Sequence, residues 1–398
     1  MKRRQYSQSG FAHVLLVIIL GLAILAVVGF AVMNKIKHGK SLGAGEADWK
    51  AGCTSADRVT LTHTPMDLAD INTILPMGLT AGAHVTPIDH LYFYPKAKER
   101  DAVPVYAMAD GVIKDITERT QSTDTGAAKK GEFRIIMQHS CQTITYFDLV
   151  TSLDPAIAKA WKAPHIGSLS IPIKAGQVIG RIGGQSLDTA VYNMNLTLPG
   201  FIHPAMYTGE FWKVHADDFF AYFNDPLRSE FLAIDARKIP PYSGKIDYDQ
   251  PGKLIGNWFL EGSGGYAGPK DGSQVGSGGH GYWDGHLSIH YDPYDGKSIV
   301  VSVGRFGPDG QPQAFSVTGN APDPAKVTTA TGLVRYELLQ KDPGGPSPTG
   351  GTQNNQAHFL GVILLQVLPG EKLKVEEFPG LTFAPVTSFT PAAKIYER

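Results

Sequence analysis

A mainly β protein of two units behind a single N-terminal transmembrane helix is the fold that this sequence predicts. Three observations carry the expectation. Glycine (45) and proline (27) are abundant in the 398 residues, so chain reversals are many, and long helical periodicities are few. Short β-branched and aromatic runs recur along both halves of the chain. Near the start stands an uninterrupted apolar stretch, Val14 to Met33.

That stretch, VLLVIILGLAILAVVGFAVM, holds twenty residues and no charge. At about 1.5 Å per residue it covers the roughly 30 Å hydrocarbon core of a bilayer. A buried core helix would show a polar face. A cleaved signal peptide would be shorter and end in a small-x-small site, and neither is found. Basic residues tie across the span, with Lys2, Arg3 and Arg4 against Lys35, Lys37 and Lys40, so charge alone does not orient it. The exported character of the two β units places residues 1–13 in the cytoplasm and the bulk of the chain on the extracytoplasmic side. Residues 34–49 read as a polar linker.

From 50 to 204 the pattern is strands and turns. Val103–Tyr106, Gly111–Ile116, Phe133–Met137, Thr143–Phe147 and Gln177–Ile182 are expected strands, and Gln121–Gly131 a polar loop. Residues 205–243 carry helical signals around Ala216–Asn224 and Pro226–Ala236 and are expected to join the two β units. From 244 to 398 a second β unit is expected, an antiparallel barrel or sandwich. Its strands are Leu254–Leu260, His286–Tyr291, Ser298–Val303, Ala314–Val317, Leu333–Leu339, Val362–Val367 and Leu373–Phe378. Two glycine-rich stretches, Gly262–Gly279 and Asp342–Gln356, read as loops.

The net charge of −1, with only 18% charged residues, gives no electrostatic footprint for nucleic acid. Cys53 and Cys141, the two cysteines of the chain, are the expected disulfide of an exported domain, with two free thiols as the alternative.

Four segments of the first unit fall in one order: Gly82-Ala-His-Val-Thr-Pro-Ile-Asp89; Val103-Pro-Val-Tyr-Ala-Met-Ala-Asp-Gly-Val-Ile113; Ile135-Ile-Met-Gln-His139 with Thr145-Tyr-Phe-Asp-Leu149; and Ile173-Lys-Ala-Gly-Gln-Val-Ile-Gly-Arg-Ile-Gly-Gly184 leading to Asn193-Met-Asn195. Over residues 70–200 this resembles the lysostaphin/LytM-type zinc peptidases, whose fold is the duplicated hybrid motif. The resemblance implies a His-x-x-x-Asp pair, a Tyr-x-His-Leu and a His-x-His. Asp89 matches the aspartate ligand, but Val85 stands in the first histidine position, with His84 beside it. Asp148 replaces a catalytic histidine, and Asn193 and Asn195 replace the His-x-His.

Those replacements are chemically severe. Hydrolytic zinc takes three nitrogen, sulfur or carboxylate ligands and one water, and an amide oxygen is a poor donor. Without the ion, water stays far from its activated pKa of about 7. The resemblance therefore implies an inert domain with a vestigial groove of His84, Asp89, Asp148, Asn193 and Asn195, without metal or other cofactor. Such a groove would bind peptidoglycan or an envelope partner protein, as zinc-less members that activate other envelope enzymes do. Two alternatives stay open: a hydrolase with a rearranged, oxygen-rich site using Asp89, Asp148 and one of His84, His90 or His139, and a plain β module.

In the second unit His280, His286, His290 and Asp284 invite a metal reading. Leu287-Ser-Ile-His-Tyr alternates as a strand, however, and four strand residues span roughly 13 Å, too far for one ion. Gly256-Asn-Trp258 resembles the Gly-x-Trp that opens lipocalin-type barrels, with a ligand-holding barrel and a plain structural one both open. Asp292-Pro-Tyr-Asp-Gly296 reads as a turn.

Overall fold

A computed structural model describes residues 49–50, 52–119, 131–164, 168–268, 281–308, 310–318, 321–341 and 354–398. The expected membrane span, 14–33, lies outside these, as do residues 121–130 of the polar loop and His280. Among the described residues no helix is long and apolar enough to cross a membrane.

In chain order the first unit holds β1 (Ile71–Leu75), β2 (Leu91–Pro95), β3 (Val103–Tyr106), β4 (Gly111–Arg119), β5 (Glu132–Gln138), β6 (Thr143–Val150), β7 (Ser152–Leu153), helix α1 (Pro155–Lys162), β8 (Ile171–Ile173), β9 (Val178–Ile182) and β10 (Leu187–Asn193). Two sheets result. One runs β1-β2-β10-β6-β5-β4-β8 and the other β3-β9-β7. The glycine turn after Ile173 carries the chain from one sheet to the other. Gly176, at φ +75°, takes the left-handed bend, and Asp110 fastens the turn by accepting from Lys174 Nζ at 2.7 Å and Ala175 N at 2.9 Å. Helix α1 has a local signal that the strand pattern hid: Asp154 caps it, accepting from Ala156 and Ile157 N, with Pro155 in the first turn.

Cys53 and Cys141 are joined as a disulfide. Trp49, expected to end a polar linker, is instead buried, stacked on Trp212 with ring centroids 5.6 Å apart. Residues 204–244 do not stand free between the units. Short 3-10 turns and helix α2 (Leu227–Ile234) lie along the first sheet, with bridges Leu61 to Phe223, Ile74 to Asp235, Met77 to Gly244 and Tyr192 to Ala216. Aromatic side chains on this stretch, Phe219, Phe220 and Phe231 among them, complete the core under β1 and β2.

The second unit is a closed antiparallel barrel rather than a sandwich. Its strands are β11 (Gly256–Leu260), β12 (His286–Tyr291), β13 (Ile299–Phe306), β14 (Gln311–Thr318), β15 (Val334–Lys341), β16 (Asn354–Leu368), β17 (Lys372–Pro379) and β18 (Lys394–Glu397). Each pairs with the next, and β11 closes on β18 through Phe259 to Glu397 and Leu260 to Tyr396. Strand β16 begins at Asn354, so the expected glycine-rich loop ends earlier than the sequence suggested. Period-2 alternation sends Trp258, Leu287, Ile289, Val301, Tyr336 and Leu365 inward, where they pack as one cluster. The interior is thus filled by side chains, which favours the structural barrel over the ligand-holding one. At one end the Arg398 guanidinium lies 4.0 Å over the Trp258 ring.

The outward residues of β11 and β12 dock the barrel on the first unit. Asn257 donates to Tyr207 Oη at 3.0 Å, and His290 Nε2 lies 3.3 Å from Thr80 Oγ1. Phe259 and Tyr266 join the core of the first unit. One continuous apolar cluster therefore crosses the junction.

Candidate functional site

The central strands of the large sheet bring charged side chains into one row. Asp188, second residue of β10, pairs with Tyr92 of β2 on one side and with Asp148 of β6 on the other. Residues two apart on a strand share a face, so Tyr94 joins Tyr92 and Tyr146 joins Asp148. Arg134 of β5 and Arg119 of β4 continue the row. This face forms one wall of a cavity of about 550 Å³. Glu210, Trp212 and Lys213 supply a second wall, and the barrel unit contributes Tyr266, Tyr282 and Lys341.

Asp148 is the best satisfied of these carboxylates. Its Oδ2 accepts from Tyr146 Oη at 2.7 Å, Arg134 Nη2 at 2.8 Å and Arg119 Nη1 at 3.1 Å, and its Oδ1 from Leu149 N at 2.8 Å. Burial alone would raise its pKa, but the two guanidiniums outweigh burial and hold the group below the usual carboxylate range. His90 sits between two further carboxylates, Nδ1 3.4 Å from Asp89 Oδ1 and Nε2 3.4 Å from Asp188 Oδ2. Burial disfavours its charged ring, yet the carboxylates of Asp188 and Asp89 beside it raise it to about 9. Asp89 also accepts from Tyr192 Oη at 2.9 Å and has Lys213 Nζ at 4.0 Å. Burial pushes Asp89 up, while Lys213 and His90 pull it further down, leaving it below its ordinary value.

Lys213 itself is buried, its Nζ donating to Pro87 O at 2.5 Å and lying 5.4 Å from the Tyr266 ring centre. Tyr266 Oη donates to Glu210 Oε2 at 2.6 Å. Glu210 is raised by burial and by the charge of Asp89. Lys341 pairs with Asp292 at 2.7 Å. Each of the four cavity carboxylates therefore meets a cation or a phenol of the protein. Among the described residues no three His, Cys, Asp or Glu side chains are grouped to hold a metal ion.

Of the residues singled out in the sequence, His84, Asp89 and Asp148 line this cavity, and His90 with them. Asn193 and Asn195 do not, which corrects their placement in the groove. Asn193 is opposite Thr143 while Asp188 is opposite Asp148, so five residues, roughly 17 Å of strand, separate Asn193 from the site. Asn193 Nδ2 donates to Asp217 at 3.0 Å and its Oδ1 accepts from Asn195 N at 3.1 Å, which makes the pair a turn cap. Asp188 stands at the cavity in their stead. Val85 is buried against Ala83 and Trp283. His139 lies away from the cavity, bonded to Asp110 O at 2.8 Å and Thr145 Oγ1 at 2.7 Å.

The histidines of the barrel each have separate partners. His286 Nε2 lies 3.1 Å from Tyr266 O, and His290 points to Thr80. Burial lowers them to about 3 and about 4. Asp284 accepts from Gly281 N and lies 3.8 Å from Arg305. Arg119, Arg134, Asp188, Glu210 and Lys213 were not foreseen: Arg119, Arg134 and Asp188 are charges within the strands β4, β5 and β10, and Glu210 and Lys213 lie on a 3-10 stretch.

No family model matches the chain, and no curated protein matches it. Among solved structures, one of Helicobacter pylori Csd3 is similar at 15% identity and a TM-score of 0.22, covering 34% of this chain and 31% of that one. A zinc-containing peptidase from Vibrio cholerae is similar at 14% identity and a TM-score of 0.20, covering 35% of this chain and 38% of that one. The chain thus spans about a third of the length of either, and overlap of that depth carries no inference about its chemistry.

Proposed function

We propose that this is a membrane-anchored, exported protein whose first unit is a degenerate LytM-type peptidase domain, catalytically inert and used to bind cell-envelope polymer or a partner envelope protein. The observation that carries the reading is the charge balance of the cavity. A zinc hydrolase needs open ligand atoms and a water position. Here Asp148 is saturated by two guanidiniums and a phenol, and Asp89 is engaged by His90, Tyr192 and Lys213. A cation entering this space would have to displace the ammonium of Lys213 or the charge of Arg134. The span 14–33 would hold the cavity close to the membrane.

The rival reading, a hydrolase with a rearranged metal site, makes a different forecast. Full-length protein in detergent is expected to pellet with peptidoglycan sacculi at moderate salt, to carry no stoichiometric metal and to release no soluble fragments. One bound ion per chain, lost together with sacculus cleavage in Asp89→Ala, would overturn the inert reading. Failure to pellet at moderate salt would remove the polymer-binding role.

A further inference from the structure

We propose that the cavity between the large sheet and the barrel is a saccharide site that holds one or two rings of a neutral sugar; this deepens the binding role above and rests on it. Charge gives the first argument. Asp148, Asp89, Asp188 and Glu210 face Arg119, Arg134, Lys213 and His90, four carboxyl groups against four cationic side chains, and Lys341 is neutralised by Asp292 outside the wall. A charged ligand would enter a balanced site and lose its hydration without a counter-ion, which is a costly burial. A neutral polyol avoids that penalty. Its hydroxyls donate and accept at once, so they can accept from the guanidiniums of Arg119 and Arg134 and donate to Asp188 and Glu210, which line the cavity beside the saturated Asp148.

Aromatic placement is the second argument. Tyr92 and Tyr94 stand two apart on β2 and share a face, with their Cα positions about 7 Å apart along the strand. Both are half-buried and line the cavity, as does Tyr282 from the barrel unit. The face of a sugar ring carries C–H groups of partial positive charge, which the negative face of a phenol ring attracts. Volume agrees, since 550 Å³ falls within the roughly 300–1,000 Å³ of small-molecule sites.

The sheet also disfavours a peptide strand. β2, β10 and β6 are each paired on both sides. The cavity therefore presents a sheet face and no free edge, so a peptide cannot add to it by main-chain pairing.

The test is isothermal titration of the full-length protein, in a detergent without sugar headgroups, with chitobiose as the probe and tetra-alanine as the control. Chitobiose is expected to bind and tetra-alanine not. Tyr94→Ala is expected to weaken chitobiose at least tenfold, and Tyr94→Phe, which keeps the ring, less than threefold. Because truncation at Tyr94 removes packing from β2, Tyr282→Ala on the other unit serves as the second variant, and each is read beside its melting temperature. No chitobiose binding, binding of tetra-alanine in its place, or unchanged chitobiose affinity in the folded alanine variants overturns the proposal. If sacculi still pellet the protein in that case, the saccharide assignment alone falls; if pelleting is lost too, the binding role falls with it.

Discussion

At His90, burial works against the charged imidazole, yet a carboxylate 3.4 Å from each ring nitrogen holds the proton on. Its folded pKa of about 9 stands above the ordinary 6.5, so the folded state binds this proton more tightly than the unfolded chain. The stability it contributes is therefore present in full below about pH 6.5 and is lost as pH rises through about 9. Asp89, depressed below its ordinary 3.8, has the opposite dependence: its share is present above that value and is lost on acidification. His90→Gln would leave two buried carboxylates short of a cation, a defect of about 3–5 kcal/mol near neutral pH. Thermal melts across pH should show this gap narrowing from about pH 6.5 upward and levelling off above about pH 9, where the wild-type ring too has lost its proton. A gap of constant size from about pH 6 to about pH 10 would mean that His90 is neutral in the fold.

Among the elements, β10 explains both what was legible and what was not. Alternation identified most barrel strands and the core of β3 to β6, because a half-buried strand has to alternate. Alternation does not fix which polar residue lies opposite which, since partners come from distant sequence. Leu187–Asn193 is buried along nearly its whole length, so Asp188 is hidden in an apolar run while Asn193 and Asn195 stand out. Asp89 was legible only through the family resemblance, which implies an aspartate at that place. Glu210 and Lys213 reach the cavity on a 3-10 stretch that carries no pattern of its own.

Element closure in the barrel rests on a comparable tertiary contact. The β11–β18 seam has two paired positions, and Arg398 supplements it, donating to Ile255 O at 2.7 Å, Gln250 O at 2.7 Å and Lys253 O at 2.8 Å, and to Glu371 Oε2 at 2.9 Å. Its loss would leave buried carbonyls unpaired and Asp249, already raised by burial to about 6 against the pull of Arg398, without its cation. Arg398→Met is expected to cost about 3–5 kcal/mol in denaturant unfolding. Arg398→Lys should recover little of it, since an ammonium cannot span the same set of carbonyls. A change within about 0.5 kcal/mol for Arg398→Met would show that strand pairing alone closes the barrel.

At the scale of the whole molecule, the units share interior rather than merely touching. Tyr207, from the stretch after the first sheet, has its ring centre 4.7 Å from that of Phe201, 5.5 Å from Phe259 of the barrel and 5.7 Å from Tyr266. Its hydroxyl accepts from Asn257 of β11, and the Asn257 carbonyl accepts from Ser288 of β12. An apolar cluster and a polar chain therefore cross the same junction, and the cavity wall is built from both sides of it. Units coupled in this way should unfold together, so calorimetry of the intact chain is expected to give one cooperative transition for both units. Tyr207→Ala removes the ring at the centre of that cluster and strands the Asn257 amide. A loss of about 3–5 kcal/mol is expected, as for other large buried aromatics, and it should lower the whole transition. Two separate transitions in the wild type, or a variant in which the first unit melts early while the barrel stays unchanged, would show that the units are independent and that the cavity is not held by a common core.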